Sequence, residues 1–342
     1  MGKGDIMDDF TDDQILINFI DYIGKSTPPD QITTIVLNGD IFDFLKMDFN
    51  GEYPRYITED ISLWKLHQLI KAHAKIFEAL KNFLTKKNCR VFFVIGNHDF
   101  DLAWPALQTE LRAIFENSEQ VEFGFSFDHH SMHIEHGHQF DPFYQHKPHR
   151  MITTYKGQKI LNLPMGSYVV FDYLIPIKKT FAKVEQLYPD AEALKRHPEY
   201  KKAIRKLIFR KGIKGILIDP LLHLFNPTYK FGVWAAIKHI SRYGLDFVDE
   251  ERFIPPRLQT IVKKYPRKEL FVLGHTHVPM DMRYKKKRFL LTDTWRDEYN
   301  LLLEGTPKKA KTYVEIHYKD GILKNAELKT FRSEGRGIHV AQ

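Results

Sequence analysis

Four short clusters of polar residues along the chain contain side chains that bind divalent metals. In chain order they are "GDIFD", "GNHD", "HGH" and "GHTH". Mixed carboxylate, amide and imidazole ligands hold borderline metals such as manganese, iron, zinc or cobalt. The chain has a single cysteine, Cys89, which argues against a structural zinc site. The candidate residues are Asp40, Asp43, Asn97, His98, Asp99, His136, His138, His275 and His277.

Each cluster follows a short apolar segment with the pattern of a buried strand. These segments are "ITTIVLNGD", "RVFFVIGNHD", "HHSMHIEHGHQ" and "ELFVLGHTHVP". A glycine beside each cluster lets the backbone turn sharply at the end of the strand. Because the carboxyl ends of strands in an α/β fold meet at one edge, the sequence predicts that the four clusters form one site.

Helical patterns separate the early strands. We predict a helix over 11–24, in which Thr11 and Gln14 have capping-box spacing and Gly24 suits the exit. A long amphipathic helix is predicted over about 59–87, and another near 105–117. Later in the chain, "RFLLTDTW" predicts a strand and Asp320-Gly321 predicts the turn of a hairpin.

The basic charge is concentrated in one segment. The formal net charge is +8, and residues 144–254 hold 20 Lys and Arg against 10 Asp and Glu. Such an excess favours an anionic partner, such as a phosphorylated small molecule, a nucleic acid or an acidic lipid. A solvated helical surface explains the same composition.

The patterns divide the chain into a core and an inserted segment. We predict a core over 1–143 and 255–331, interrupted by a basic and mostly helical insertion over 144–254, and a loose tail over 332–342. No run of eighteen apolar residues occurs, and the single cysteine suits a reducing compartment. We therefore expect a cytoplasmic protein that could also contact a membrane peripherally.

The four clusters resemble motifs two to five of the calcineurin-like metallophosphoesterases. The resemblance covers residues 33–140 and 268–300 and leaves the insertion unmatched. It implies an α/β fold of the metallophosphoesterase type, a layered αββα sandwich in which helices cover two sheets. It also implies two divalent metal ions, with manganese the first choice and iron, zinc or cobalt as others, that activate water for phosphoester hydrolysis.

The resemblance assigns a role to each candidate residue. Asp40 would bridge the two metals, His277 would contribute to the first site, and the second site would be completed by Asn97, His136 and His275.

His98 would be the general acid that protonates the leaving oxygen, and Asp43 would orient it. A simple N-cap role for Asp43 after its strand is equally consistent with the sequence. In "YQHKPHR", Lys147 and Arg150 could contact a substrate phosphate, although a solvated loop explains them as well.

The family's first motif, Asp-x-His at the end of the first strand, has no counterpart in this chain. The opening "MGKGDIMDDF" carries Asp5, Asp8 and Asp9, which look like the surviving edge of that motif. We therefore expect the natural reading frame to begin upstream, by about six residues for a strand and a few more. Two alternatives stay open: one of these aspartates substitutes as a ligand, or the chain is a pseudo-enzyme that keeps one metal site or none.

The layout is similar to that of UDP-2,3-diacylglucosamine hydrolases, membrane-associated enzymes that cleave a pyrophosphate in lipid A synthesis. Both have a long insertion between "HGH" and "GHTH". The chain departs from that group at His98, where many members carry Arg, and at His138, where an acidic residue is usual. A nuclease-type phosphodiesterase and a non-catalytic binding module are the alternatives.

Overall fold

The computed structural model describes residues 1–342 except 117, 142, 189, 219–220, 223–253, 304, 309, 335–336 and 342. Much of the second half of the predicted insertion, 223–253, therefore lies outside the described residues. The described α-helices of at least five residues are α1 Asp13–Ser26, α2 Glu59–Ala72, α3 Ala74–Leu84, α4 Pro105–Phe115, α5 Met165–Val169, α6 Ile175–Thr180, α7 Asp190–Arg196, α8 Pro198–Leu217 and α9 Ile254–Lys264.

Among the described residues, the strands form one five-stranded sheet, three three-stranded sheets and one two-stranded sheet. In chain order they are β1 Thr33–Asn38, β2 Cys89–Val94, β3 Val121–Gly124, β4 Ser126–His129, β5 Met132–Glu135, β6 Ile152–Tyr155, β7 Gln158–Leu161, β8 Leu187–Tyr188, β9 Leu270–Leu273, β10 Met280–Tyr284, β11 Lys287–Leu291, β12 Tyr299–Asn300, β13 Thr306–Pro307, β14 Lys311–Lys319, β15 Ile322–Glu334 and β16 Gly337–Ala341.

The first sheet is parallel, in the order β1-β2-β3, and the second is mixed, in the order β10-β11-β9-β5-β4. Within the second sheet, β5, β9 and β11 run parallel to one another. A third group, β14-β15-β16, is antiparallel. The four strands that carry the polar clusters form as the sequence predicted, and the structure places β1 and β2 in one sheet and β5 and β9 in the other.

Helices and sheets are stacked in layers around apolar clusters. Helices α1 to α4 pack on the first sheet through a core that includes Ile20, Leu80 and Phe93. On one face of the second sheet, Phe271 packs with Leu258 of α9. Its other face packs against the β14-β15 hairpin. This is the α/β layered sandwich that the sequence predicted.

Helix α1 begins and ends later than predicted. Its N-cap is Asp12, whose side chain accepts a hydrogen bond from the Ile15 amide at 3.2 Å. The Thr11 hydroxyl instead donates to Asp297 Oδ2 at 2.6 Å, and the helix continues past Gly24 to Ser26. The capping-box prediction was wrong because a carboxylate 286 positions away captures the threonine.

The single helix predicted over 59–87 is two helices that meet at His73. This residue has φ −117° and ψ 33°, which ends α2, and α3 begins at the next residue. The imidazole contacts Asp13 at 2.7 Å and Asp8 at 2.9 Å. These distant partners explain a break that the apolar periodicity did not reveal.

Two segments contain strands that the sequence analysis did not predict. The tail predicted as loose contains β16, in which Val340 pairs with Phe331 of β15. The segment predicted as mostly helical also contains the hairpin β6-β7, whose turn places Lys156 at φ 48° and Gly157 at φ 80°. The hairpin predicted at Asp320-Gly321 and the helix near 105–117 are confirmed.

Candidate metal centre

Three predicted ligands from three strand ends come together. The ligand atoms of Asp40, His136 and His275 all lie within 4.8 Å of one another, the only such group of three among the described residues. Asp40 follows β1, His136 follows β5 and His275 follows β9. The site therefore lies where the carboxyl ends of the two sheets face each other.

The backbone at this site is held in an unusual conformation. Asp40 has φ 53°, His275 has φ 68° and His277 has φ 55°. Left-handed backbone at non-glycine residues costs about 1–3 kcal/mol each and persists where the surroundings enforce it, which is common at functional sites. Three predicted ligands have left-handed φ values. This indicates that the positions required of the ligands, and not the intrinsic preference of the backbone, determine the conformation of these turns.

Two motif glycines allow the clusters to approach each other closely. A Cβ on Gly96 would collide with the carboxylate and backbone nitrogen of Asp40. One on Gly39, which has φ 78°, would collide with the His136 ring. These glycines therefore do more than permit turns, because they also make room for the ligands of neighbouring strands.

Unpaired buried atoms at the site fit a divalent cation. Nδ1 of His136 donates to the Asn38 carbonyl at 2.8 Å, which leaves Nε2 with its lone pair. That Nε2 lies 3.1 Å from Asp40 Oδ2 but has no hydrogen-bond partner among the described residues. Oδ1 of the 2 % exposed Asn97 is likewise buried and unpaired within the described part of the chain. The donor set is the oxygen and nitrogen mixture that the sequence predicted.

The pKa shifts favour an ionised Asp40 and neutral His275 and His277, whereas the pKa of His136 is raised because Asp40 outweighs the effect of burial. Burial raises the pKa of Asp40, but His136 and His98 outweigh it and hold that pKa well below the usual range. Burial lowers the pKa of His275, and burial together with Arg296 lowers that of His277 well below normal. Neutral imidazoles and an ionised carboxylate are the forms that bind metal.

His275 has a partner that the sequence analysis missed. Its Nε2 lies 3.3 Å from Asp141 Oδ2, and Arg257 donates to the same carboxylate at 3.0 Å. A carboxylate that orients a ligating histidine is a common second layer around a metal site. The signal was available in "HGHQFD", where Asp141 closely follows the third cluster.

The predicted general acid and its partner are in contact. Nδ1 of His98 lies 2.8 Å from Asp43 Oδ1. Burial lowers the pKa of His98, but Asp43 and Asp40 outweigh it and raise the pKa to about 9. Asp43 stands at the N-cap of a short 3₁₀ helix, Phe44–Lys46, yet its carboxylate caps no backbone amide in the described residues. The simple N-cap alternative is therefore not what this side chain does.

Asp99 has a structural place beside the site. It is fully buried, accepts from the Ile41 amide at 3.0 Å and also accepts from the Gly96 amide. Burial and the nearby Asp40 raise its pKa to about 7. It ties together the turns that follow β1 and β2.

Other predicted residues are not members of the three-residue group. His138 stacks on His146 with ring centroids 4.8 Å apart, and its centroid lies 5.4 Å from that of His136. Lys147 and Arg150 are exposed on the turn that follows.

The initial aspartates have other partners. Asp5 accepts from the Met7 amide at 2.9 Å, Asp8 contacts His73, and Asp9 contacts Lys46 at 2.6 Å. None of the three belongs to the group of candidate ligands found among the described residues.

Comparison with known families agrees with this geometry. The model of the family described as calcineurin-like phosphoesterase matches residues 4–279. Since the match spans well over half of the chain, the protein belongs to this family. The family binds divalent metals and hydrolyses phosphoesters, which supports a metal-dependent hydrolase.

Two further findings concern curated proteins and membrane-spanning helices. A search of curated proteins gave no match. Among the described residues, no helix combines the length and apolar character needed to cross a membrane.

Proposed function

We propose that this protein is a phosphohydrolase that would use two divalent metals to cleave a phosphoester or pyrophosphate bond with water. The observation that carries the proposal is the convergence of Asp40, His136 and His275 within 4.8 Å. Unpaired ligand atoms on His136 and Asn97 support it. We propose manganese as the preferred metal, with iron, zinc or cobalt as alternatives.

Some of the site residues would bind metal, and others would transfer a proton. Asp40, Asn97, His136 and His275 would hold one metal, and His277 would contribute to another that shares Asp40. When bound, the metals supply positive charge that lowers the pKa of water and stabilises phosphoryl oxygens. His98, oriented by Asp43, would donate a proton to the leaving oxygen.

We propose a substrate that carries a nucleotide or a lipid-linked nucleotide, as in the UDP-2,3-diacylglucosamine hydrolases that the layout resembles. The basic insertion supports an anionic substrate, and Lys147 and Arg150 would contact its phosphates. Phe209 is 70 % exposed on α8, which also carries Arg205 and Lys206. An exposed apolar side chain among basic residues suits an amphiphilic ligand and peripheral membrane contact from the cytoplasm.

The test combines metal stoichiometry with hydrolysis. We would load the chain with manganese, count the bound ions per chain, and assay a nucleotide pyrophosphate, a lipid-linked nucleotide in detergent and single-stranded DNA. Bound manganese and pyrophosphate cleavage that is insensitive to salt are expected, and a count of two ions per chain would mean that other residues replace the absent Asp-x-His motif.

Each other outcome has a defined meaning. Cleavage of DNA with a steep salt dependence would favour a nuclease, because phosphate contacts release counterions. Metal binding without hydrolysis of any substrate would favour a binding module. A chain that binds no manganese would contradict the proposed metal centre.

A further inference from the structure

A cluster of buried charges lies directly behind the His98–Asp43 pair. Nζ of Lys46 contacts Asp43 Oδ2 at 2.6 Å, Asp9 Oδ2 at 2.6 Å and Glu185 Oε2 at 2.9 Å. Lys178 contacts Asp9 and lies 3.3 Å from Glu185 Oε2. Lys46 is 4 % exposed and Lys178 is fully buried. We refer to Asp9, Asp43, Lys46, Lys178 and Glu185 as the buried charge cluster.

Three separate parts of the chain build this cluster. Asp9 comes from the amino-terminal segment, Asp43 is the N-cap of the 3₁₀ helix after β1, and Lys46 is the last residue of that helix. Lys178 lies in α6 and Glu185 in the short 3₁₀ helix Val184–Gln186, both within the predicted insertion. The insertion thus places two charged side chains behind the candidate site, although its sequence showed only a basic excess.

The contacts of Lys46 use its full hydrogen-bonding capacity. An ammonium group has three donors, and three carboxylates surround this one. Burying a charge is costly unless it is paired, so these contacts are needed to keep Lys46 where it is. Removing Glu185 would leave one donor of Lys46 without its carboxylate and would also take a partner from Lys178.

The same contacts fix the orientation of Asp43. One of its oxygens, Oδ1, faces His98 Nδ1 at 2.8 Å, and the other, Oδ2, faces Lys46 Nζ at 2.6 Å. With both oxygens engaged, the carboxylate cannot rotate without breaking a charged contact. The imidazole of His98 is thereby held in one orientation by a chain of contacts that begins at Glu185.

We propose that Glu185 and Lys46 are positioning residues for His98, through which the insertion controls the geometry of proton donation at the site. This inference rests on the proposed hydrolase function, because it assigns His98 the role of general acid. Neither residue touches the reacting atoms, so their removal should impair proton donation rather than substrate binding.

The first experiment uses the dependence of hydrolysis on the leaving group. Glu185→Gln and Lys46→Met would be compared with wild type on a series of aryl phosphodiesters, from p-nitrophenyl to unsubstituted phenyl. A poor leaving group needs its proton, and general acids contribute about 10²–10⁴-fold. We therefore expect kcat for the phenyl ester to fall at least about tenfold more than for the p-nitrophenyl ester, with KM unchanged.

Glu192→Gln is the matched control on the same insertion. Glu192 pairs with Arg196 at 2.7 Å on α7 and makes none of the ion pairs of the cluster, so its variant should hydrolyse both esters like wild type. An equal loss on both esters in Glu185→Gln would overturn the inference, because a general structural defect would not distinguish the leaving groups.

A second experiment does not depend on activity. The Nδ1 proton of His98 in the metal-free full chain would be followed by NMR and assigned with His98→Gln. The Nδ1 proton of His136, which donates to the Asn38 carbonyl at 2.8 Å, is an internal control for folding. Glu185→Gln should shift or broaden the His98 signal and leave that of His136 in place, whereas Glu192→Gln should change neither.

The two experiments separate this inference from the proposed function. If wild type hydrolyses no ester but Glu185→Gln still displaces the His98 signal, the hydrolase proposal fails and the positioning contact stands. If wild type is active and the His98 signal is unchanged in Glu185→Gln, the positioning inference is wrong and the hydrolase proposal stands.

Discussion

At the scale of single residues, the centre depends on one carboxylate. Asp40 is the acidic member of the three-residue group, and its Oδ1 also accepts from the His98 amide at 2.8 Å. Its φ of 53° is tolerated because the turn is fixed by its neighbours. The sequence predicted this residue from "GDIFD", but it could not show that the same side chain also organises the following turn.

We predict that Asp40→Asn weakens manganese binding more than tenfold, since even second-layer changes around metals cost about 10–100-fold in affinity. The asparagine side chain is the same size as that of aspartate and keeps an oxygen that can accept from the His98 backbone amide, so the fold should be retained. Calorimetric titration with manganese would measure the change.

Asp5→Ala is the control for that prediction. The Asp5 carboxylate accepts from the Met7 amide and lies 3.4 Å from Lys3, within the amino-terminal turn. Its variant should bind manganese like wild type. A comparable loss in Asp5→Ala would instead favour an initial aspartate as a ligand.

At the scale of elements, the sequence predicted what local pattern determines. The four strands, α4 and the Asp320-Gly321 hairpin follow from apolar runs, glycines and turn residues. The cap of α1, the break at His73 and the contact of Lys46 with Glu185 depend on partners far along the chain. A single sequence does not identify such partners, which is why these features could not be predicted.

The turns after β1 and β2 approach each other closely at Gly96, and a substitution there tests this approach. We predict that Gly96→Ala destabilises the protein by about 1–3 kcal/mol, because the added methyl group would overlap Asp40 and force the turns apart. Manganese affinity should fall with it. Urea unfolding and manganese titration would measure the two effects.

Gly24→Ala is the matched control within α1. There the added carbon would lie 3.4 Å from Phe83, an ordinary contact, and alanine favours helix by about 0.5–1 kcal/mol. This variant should be as stable as wild type or slightly more stable. Equal stability of the two variants would mean that the turns after β1 and β2 have more room than the structure indicates.

At the scale of the whole molecule, His73 joins the amino-terminal segment to the helical layer. Its Nδ1 lies 2.7 Å from Asp13 of α1 and its Nε2 lies 2.9 Å from Asp8, while the residue itself separates α2 from α3. Both ring nitrogens face carboxylates, and only the charged imidazolium can donate from both. Burial lowers the pKa of His73, but the contacts with Asp8 and Asp13 outweigh it and raise that pKa.

This arrangement predicts a dependence of stability on pH. A group whose pKa is raised on folding contributes fully below its unfolded pKa, about 6.5 for histidine, and loses that contribution as pH rises through the folded value. Hydrogen bonds to charged groups contribute about 1.5–3 kcal/mol, so His73→Gln should be destabilised by about that amount at pH 6 and by less at pH 9. The pKa of Asp8 is lowered, so its contribution to stability changes in a separate and more acidic pH range. That contribution is present at neutral pH and is lost only as pH falls below the normal range of carboxylate pKa values. Urea unfolding at both pH values would measure the difference. His67→Gln is the control, since that ring is 54 % exposed on α2. A cost for His73→Gln that stays constant from pH 6 to 9 would show that the ring does not act as a charged link between the two carboxylates.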